Sequence, residues 1–146
     1  MNDSTFRELG ADQSGTCGPR AVLLCGYSPE DAKEVEALLD RIGEGDASVR
    51  LCTEAMLTSS LKNALESGSK EPPVAPDRLP RVMVLSGLTD ARIRAILKDF
   101  AGTGLSRPIF CAATPENLTF TVRQLLRELM AEHIAMQKMR RQQQKQ

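Results

Sequence analysis

Two short apolar runs dominate the hydrophobic pattern of the chain, and each is followed by a glycine and an amphipathic segment. The first run is Ala21–Cys25, and the second lies in Arg81–Leu85. Neither alternates apolar with polar residues, as a strand with one solvent-exposed face would. Continuous apolar runs of this length are typical of strands that are buried on both faces, as in a parallel sheet. The pattern therefore predicts an α/β fold.

The segment after each run carries the signals of a helix start. Gly26 and Gly87 let the chain turn, and Ser28 and Thr89 are suitable N-cap residues. Pro29 fits the first helical position. The apolar residues that follow are spaced for one helix face: Ala32, Val35, Leu38, Leu39 and Ile42 in the first segment, and Ile93, Ile96, Leu97 and Phe100 in the second.

Each half of the chain continues with a second strand and a second helix. The first half has a weaker strand at Ser48–Thr53 and a short helix at Met56–Leu65, and the second half has a strand at Pro108–Ala112 and a long helix at Pro115–Lys138. The order strand–helix–strand–helix occurs twice, which predicts a three-layer α/β fold of about four mainly parallel strands. It is a tandem βαβα duplication with a long C-terminal helix, for which we expect strand order 2-1-3-4.

A chain of 146 residues is expected to form one domain with a sizeable core. The proline-rich segment divides the two halves because its prolines disfavour regular structure. The predicted parts are a disordered lead-in at 1–19, a single domain at 20–138 with half-repeats 20–66 and 81–136 and linker 67–80, and a basic disordered tail at 139–146.

Five stretches of the second half resemble an uncharacterised family found in bacteria and plants, domain of unknown function 3783. They are Leu79–Gly87, Arg107–Phe110, Thr114–Leu118, Leu125–Leu129 and Glu132-His133. The resemblance extends over about 21–138 and is most specific between Thr114 and His133. The family has no assigned activity, so the resemblance implies no catalytic residue. It implies a bacterial cytoplasmic or chloroplast-stromal location.

Composition sets broad limits on function. Basic and acidic residues balance at 19 each, which gives no general argument for a nucleic-acid or membrane partner. No apolar run approaches the ~18 residues of a membrane span, and the N-terminus lacks the features of a secretory signal. We therefore expect a soluble protein.

The four cysteines, Cys17, Cys25, Cys52 and Cys111, show no zinc-like spacing. Cys52 and Cys111 occupy similar places in the two halves. Three of the four lie in apolar runs, where cysteine behaves as a small hydrophobic residue, so we expect a reducing compartment. A soft metal or a redox pair is the alternative for these three thiols. We predict no metal and no cofactor.

The two strand-to-helix turns are the best-placed candidates for a ligand. If strands one and three lie side by side in this mainly parallel sheet, both turns face the switch-point crevice, where open α/β sheets bind ligands. Capping and tight turning explain the same residues without a ligand. The candidate ligand-binding residues are Gly26, Tyr27, Ser28, Ser86, Gly87 and Thr89.

Catalytic machinery is not recognisable, and we predict no catalytic residue. No glycine-rich segment has the residues of a phosphate loop or a dinucleotide fingerprint. The strand ends read Cys25-Gly26 and Ser86-Gly87, which excludes a phospho-acceptor regulator that needs acidic residues there. His133 is expected to be a partly buried packing residue, and Glu128 and Glu132 lie on a solvated face.

The C-terminal segment Met136–Gln146 is the one part of the chain with a local excess of charge, because it has basic residues and no acidic residue. A solvated helix end explains it, since cations favour the helix C-terminus; a docking segment for RNA, an acidic protein or a membrane surface is the alternative. Its candidate partner-binding residues are Lys138, Arg140, Arg141 and Lys145. We expect a non-enzymatic protein-binding or assembly module, with a small-ligand protein or enzyme using the strand-end crevice as the alternative.

Overall fold

Four strands form one mixed sheet in a computed structural model that describes residues 17–67 and 71–144. Their order is β2-β1-β3-β4, as expected from the duplication. Every residue of the two central strands is buried, which confirms that their continuous apolar sequences mark strands covered on both faces. The strands are β1 (Ala21–Cys25), β2 (Ser48–Leu51), β3 (Val82–Ser86) and β4 (Ile109–Ala112).

Helices cover both faces of the sheet, so the predicted three-layer α/β architecture is confirmed. The α-helices are α1 (Pro29–Arg41), α2 (Glu54–Thr58), α3 (Leu61–Glu66), α4 (Asp90–Asp99) and α5 (Val122–Gln144). Alternate residues of β1 divide between two cores. Val22 and Leu24 pack with α1 and α4, whereas Ala21, Leu23 and Cys25 pack with α2, α3 and α5.

The central strand pair is antiparallel. β1 and β2 are parallel, as are β3 and β4, but β1 and β3 run in opposite directions. The sheet is therefore mostly parallel, as predicted, but the assumption that β1 and β3 are parallel is wrong. The two strands end at opposite edges of the sheet.

The path of the linker is the reason for this reversal. After α3 the chain returns to the edge where β2 ends, since Pro73 bridges Thr53 and the Val74 N–H donates to the Cys52 carbonyl at 2.9 Å. The linker then brings Pro80 against Gly26, just beyond the end of β1. β3 therefore starts where β1 ends. A parallel β3 would need a crossover back to the other edge.

A local two-fold axis passes between β1 and β3, perpendicular to the sheet. At the centre of the antiparallel ladder, Leu23 pairs with Val84, the position 61 residues later. On either side, Ala21 pairs with Ser86 and Cys25 pairs with Val82, and the same shift of 61 positions converts one pair into the other. The two half-sheets are thus equivalent, as the duplication predicts.

A second contact between the two halves follows the same shift of 61 positions. Ser60 bridges Thr121, again 61 positions later. The Leu61 N–H donates to the Phe120 carbonyl at 2.8 Å, and its equivalent, the Val122 N–H, donates to the Ser59 carbonyl at 3.0 Å. The start of α3 and the start of α5 therefore hold each other by the same hydrogen bond made twice.

The helix and turn caps follow the same 61-residue shift. In each cap the side-chain oxygen accepts a hydrogen bond from the N–H three residues later, which satisfies a donor that has no partner within the helix. The cap pairs are Ser28 with Thr89, Thr53 with Thr114, and Ser60 with Thr121. The constant shift also corrects one predicted match: Cys52 corresponds to Ala113, whereas Cys111 corresponds to Arg50.

The last helix differs from its prediction at both ends. It begins at Val122 rather than Pro115, because Thr114 caps a short 3-10 turn at Asn117–Thr119 and Phe120 then pairs with the other half. It continues to Gln144, so residues 139–144 of the predicted disordered tail are helical. Met, Arg and Gln, the residue types of this stretch, are all good helix formers, and it has no glycine or proline.

The other predicted irregular segments lie partly outside the described residues, at 1–16, 68–70 and 145–146. Within the described part of the lead-in, the Cys17 N–H donates to the Ala113 carbonyl at 3.4 Å. The described part of the linker contains a 3-10 turn at Pro76–Arg78 and the buried Val74. Linker residues thus contribute to one of the two cores.

Substitution of Gly26 by Ala tests the tight contact between the linker and the end of β1. Gly26 has φ +79°, and a Cβ there would lie 2.7 Å from the Pro80 carbonyl oxygen. We expect Gly26→Ala to lower the free energy of unfolding by at least about 2 kcal/mol, because the left-handed conformation and the clash both disfavour a side chain. Urea denaturation measures the change.

Gly102→Ala is the matched control for this substitution. A Cβ at Gly102 would meet nothing within 4 Å, and its φ is not in the left-handed region. Its effect should stay within about 0.5 kcal/mol. Equal effects of the two substitutions would contradict the packing described for Gly26.

Candidate functional site

The six predicted ligand-binding residues do not form one site. Gly26, Tyr27 and Ser28 lie at the edge where β1 ends, and Ser86, Gly87 and Thr89 lie at the opposite edge, where β3 ends. The predicted single crevice is therefore wrong. Its physical premise was a parallel β1–β3 pair, and the linker prevents that arrangement. Ligand binding by either turn separately stays a prediction.

The polar groups of the first turn are already engaged within the protein. Ser28 and Asp31 form a capping box: the Asp31 N–H donates to Ser28 Oγ at 3.1 Å, and the Ser28 N–H donates to Asp31 Oδ2 at 3.0 Å. Tyr27 is buried, and its hydroxyl donates to the Ser106 carbonyl at 2.5 Å. Burial raises the pKa of Tyr27 well above its usual value, which keeps the phenol protonated.

The second turn is engaged in the same way. Ser86 Oγ donates to the Cys17 carbonyl at 3.1 Å, and the Gly87 N–H donates to the same carbonyl at 3.2 Å. Thr89 Oγ1 accepts from the Arg92 N–H at 3.2 Å. The polar groups of both turns thus cap helices or hold neighbouring loop segments, which are structural roles.

The three thiols in apolar runs gather in the core beneath α2, α3 and α5. Cys25, Cys52 and Cys111 are buried there. A hydrogen bond with Cys52 and burial raise the pKa of Cys25, and burial raises the pKa of Cys111 to about 12. Within the described residues, no group of three or more His, Cys, Asp or Glu side chains could hold a metal ion.

His133 is exposed on α5, so its predicted partial burial is wrong. Its Nε2 lies 3.1 Å from Gln137 Nε2, one turn along the helix. Glu128 and Glu132 are exposed, as predicted, and Glu128 Oε2 accepts from Gln124 Nε2 at 3.1 Å. The described residues place no nucleophile against this histidine.

A buried carboxylate that the sequence did not reveal joins the two halves. The side chain of Glu44 is 10% exposed, and Arg20 Nε donates to its Oε1 at 2.8 Å while Arg92 Nε lies 3.0 Å from its Oε2. Arg20 precedes β1 and Arg92 is on α4. Because both carboxylate oxygens are paired with guanidinium groups, this cluster links elements of the fold.

A wide opening lies on the α5 layer of the fold. It is a groove of about 570 Å³ between α5, α2 and the end of the linker. We call it the α5 groove. Its lining is apolar except for arginines at the rim, and consists of Leu57, Val74, Arg78, Leu79, Pro80, Arg123, Leu126, Arg127, Met130, Ala131 and Ile134.

The C-terminal half of α5 extends beyond this groove. Residues 131–143 are all exposed, whereas Val122, Leu125, Leu126 and Leu129 of the first half are buried. Large apolar side chains are among the exposed ones: Ile134 is 45% exposed, Met136 54% and Met139 59%. Of these three, Ile134 also lines the groove, and an exposed large apolar side chain beside an apolar groove is typical of an interaction surface.

The predicted partner-binding residues divide along this helix. Lys138 and Arg141 follow Ile134 at spacings of four and three, so they lie on the side of α5 that faces the groove. Arg140 projects from another side, and Lys145 lies outside the described residues. Arg123 and Arg127 of the groove rim were missed, because no sequence pattern showed that the linker would pass beside them.

Within the described chain, no helix combines the length and the apolar character needed to cross a bilayer. Comparison with known families finds that residues 81–136 match the model described as Domain of unknown function (DUF3783). The match covers β3, α4, β4 and α5 as far as Met136, which confirms the resemblance for the second half. No curated protein and no solved structure matches the chain.

Because the thiol of Cys111 is buried, we expect the free energy of unfolding to change with pH in the alkaline range. Its pKa is raised from 9.0 to about 12 in the folded protein, so between these values only the unfolded chain releases the proton. The free energy of unfolding must therefore fall as pH rises, by at most about 1.4 kcal/mol per pH unit from this group. Urea denaturation between about pH 8 and about pH 10 measures the slope.

Cys111→Ala is the control for that measurement, because it removes the titrating thiol with little change in size. We expect the variant to show a shallower alkaline decline than the wild type. Equal slopes would mean that Cys111 ionises as readily in the folded protein as in the unfolded chain.

Proposed function

We propose that the protein is a non-enzymatic protein-binding module, of the assembly or accessory type, that holds its partner in the α5 groove. One observation carries the proposal: the apolar lining of the groove includes Ile134 of α5, a large apolar side chain that is 45% exposed. A groove beside an exposed helix suits an amphipathic partner segment, which buries its apolar side chains there.

The use of polar groups in the two turns supports binding over catalysis. Ser28 and Thr89 cap helices, and Ser86 donates to Cys17. A small-molecule site usually combines an apolar pocket with a few converging polar groups of several kinds. The polar lining of the α5 groove consists of arginine side chains, which suits a partner surface better than a reaction.

The proposal includes a reducing compartment. All four cysteines, Cys17, Cys25, Cys52 and Cys111, are free thiols, which is the usual state in reducing compartments and uncommon in secreted proteins. The resemblance to domain of unknown function 3783 favours the bacterial cytoplasm or the chloroplast stroma.

A pair of charge-neutral variants tests the proposed function. Immobilised full-length protein is incubated with native extract at low salt, and captured proteins are quantified by mass spectrometry. We expect Ile134→Gln to lower the capture of the wild-type partner at least about tenfold, because apolar anchors at the centre of an interface carry much of its binding energy. The captured protein is then purified and its affinity for both forms is measured directly.

Met139→Gln is the matched control, because Met139 is an exposed apolar residue of the same helix that does not line the groove. It should capture as the wild type does. Circular dichroism should show equal folding of both variants. If Ile134→Gln captures the same proteins in the same amounts as the wild type, the α5 groove is not the binding site.

A further inference from the structure

Basic and acidic residues lie on different sides of α5. The groove-facing side carries basic residues at helical spacings of three and four and no acidic residue, while Glu128 and Glu132 project from the far side. Arg123 and Arg127 line the first part of the groove, and Lys138 and Arg141 lie on the same side of α5 beyond Ile134.

The arginines that line the groove differ in their pairing. Arg78 at the opposite rim pairs with Glu54, with 3.0 Å between Nη1 and Oε1. In contrast, neither Arg123 nor Arg127 takes part in a salt bridge with any other residue in the described ranges. Both are exposed. The apolar floor of the groove is therefore bordered along α5 by two arginines that have no salt-bridge partner among residues 17–67 and 71–144.

This arrangement specifies the chemistry of the partner. Resting on the proposed function, we infer that the α5 groove takes an acidic amphipathic helix of another protein. Apolar residues at i, i+3 or i+4, and i+7 of that helix would contact Leu126, Met130 and Ile134. Aspartate or glutamate on its flank would face Arg123 and Arg127. The groove side of α5 from Arg123 to Ile134 is about 16 Å long at 1.5 Å per residue, which accommodates about three helical turns.

Other occupants fit the surface less well. A second copy of this chain would bring one basic groove side against another, and like charges across an interface oppose association. Single-stranded nucleic acid is bound largely by stacking on aromatic side chains, and the residues that line the groove include no aromatic one. An acidic protein helix satisfies both the apolar and the charged part of the surface.

A peptide selection tests the inference even while the natural partner is unidentified. A phage library of random peptides of about 16 residues is selected on immobilised full-length protein and, in parallel, on the Ile134→Gln variant. We expect peptides enriched only on the wild type to carry net negative charge with apolar residues at helical spacing. The strongest binder is then synthesised with a fluorophore, and its affinity is measured by anisotropy.

Charge reversal then identifies the contact. Arg123→Glu combined with Arg127→Glu should weaken binding of the selected peptide at least about tenfold. Exchanging its acidic residues for lysine should restore binding to this variant and abolish binding to the wild type. Lys33→Glu combined with Lys98→Glu is the control with the same change in net charge. Both lysines are exposed on α1 and α4, across the sheet from α5, so this variant should bind as the wild type does.

The outcomes separate the inference from the proposed function. If the selection enriches peptides on the wild type and not on Ile134→Gln, but without an excess of acidic residues, that result would overturn the inference and leave the proposed function standing. No enrichment on the wild type over Ile134→Gln would overturn both. Tighter binding of a single-stranded RNA 20-mer or of anionic vesicles than of the peptide, or self-association in sedimentation that is lost with Ile134→Gln, would assign the surface to a different occupant.

Discussion

The antiparallel pairing of β1 with β3 is the constraint on which the rest of the structure depends. It places the two half-sheets about a two-fold axis, with Leu23 and Val84 at the centre, and it is imposed by a linker that returns to the edge where β1 ends. Gly26 is required there because the Pro80 carbonyl leaves no room for a Cβ. Parallel pairing within each half and antiparallel pairing between halves follow from the same chain path.

This symmetry explains why the strand ends do not form a ligand site. In open sheets with parallel neighbours, loops at a switch point converge on one crevice. Here the two-fold axis sends the equivalent turns to opposite edges, and Ser28, Ser86 and Thr89 use their hydroxyl groups within the fold. The function that we propose arises where the symmetry is broken. The equivalent of α3, which has 6 residues, is α5, which has 23 residues and extends past the sheet beside an arginine-rimmed groove.

Most of the fold could be predicted from the sequence because its signals are local. The continuous apolar strands, the caps at Ser28 and Thr89, and the helical spacing of Val35, Leu39, Ile93 and Ile96 depend on neighbours along the chain. The errors concern features that depend on distant residues. α5 starts at Val122 because Phe120 pairs with Ser59 and Leu61 in the other half. The groove rim at Arg123 and Arg127 was missed because Leu79 and Pro80 reach it only through the tertiary path of the linker.

The sequence by itself determined the fold class, the duplication, the buried strands and the absence of a recognisable phosphate-binding motif, because hydrophobic periodicity and cap chemistry are properties of contiguous residues. Only the tertiary structure decided the direction of β3, the separation of Gly26 from Gly87, the Arg20–Glu44–Arg92 cluster and the α5 groove. The physical reason is that strand direction depends on where a connection re-enters the sheet. That point is set by contacts such as Thr53 with Pro73, which join residues far apart in the chain.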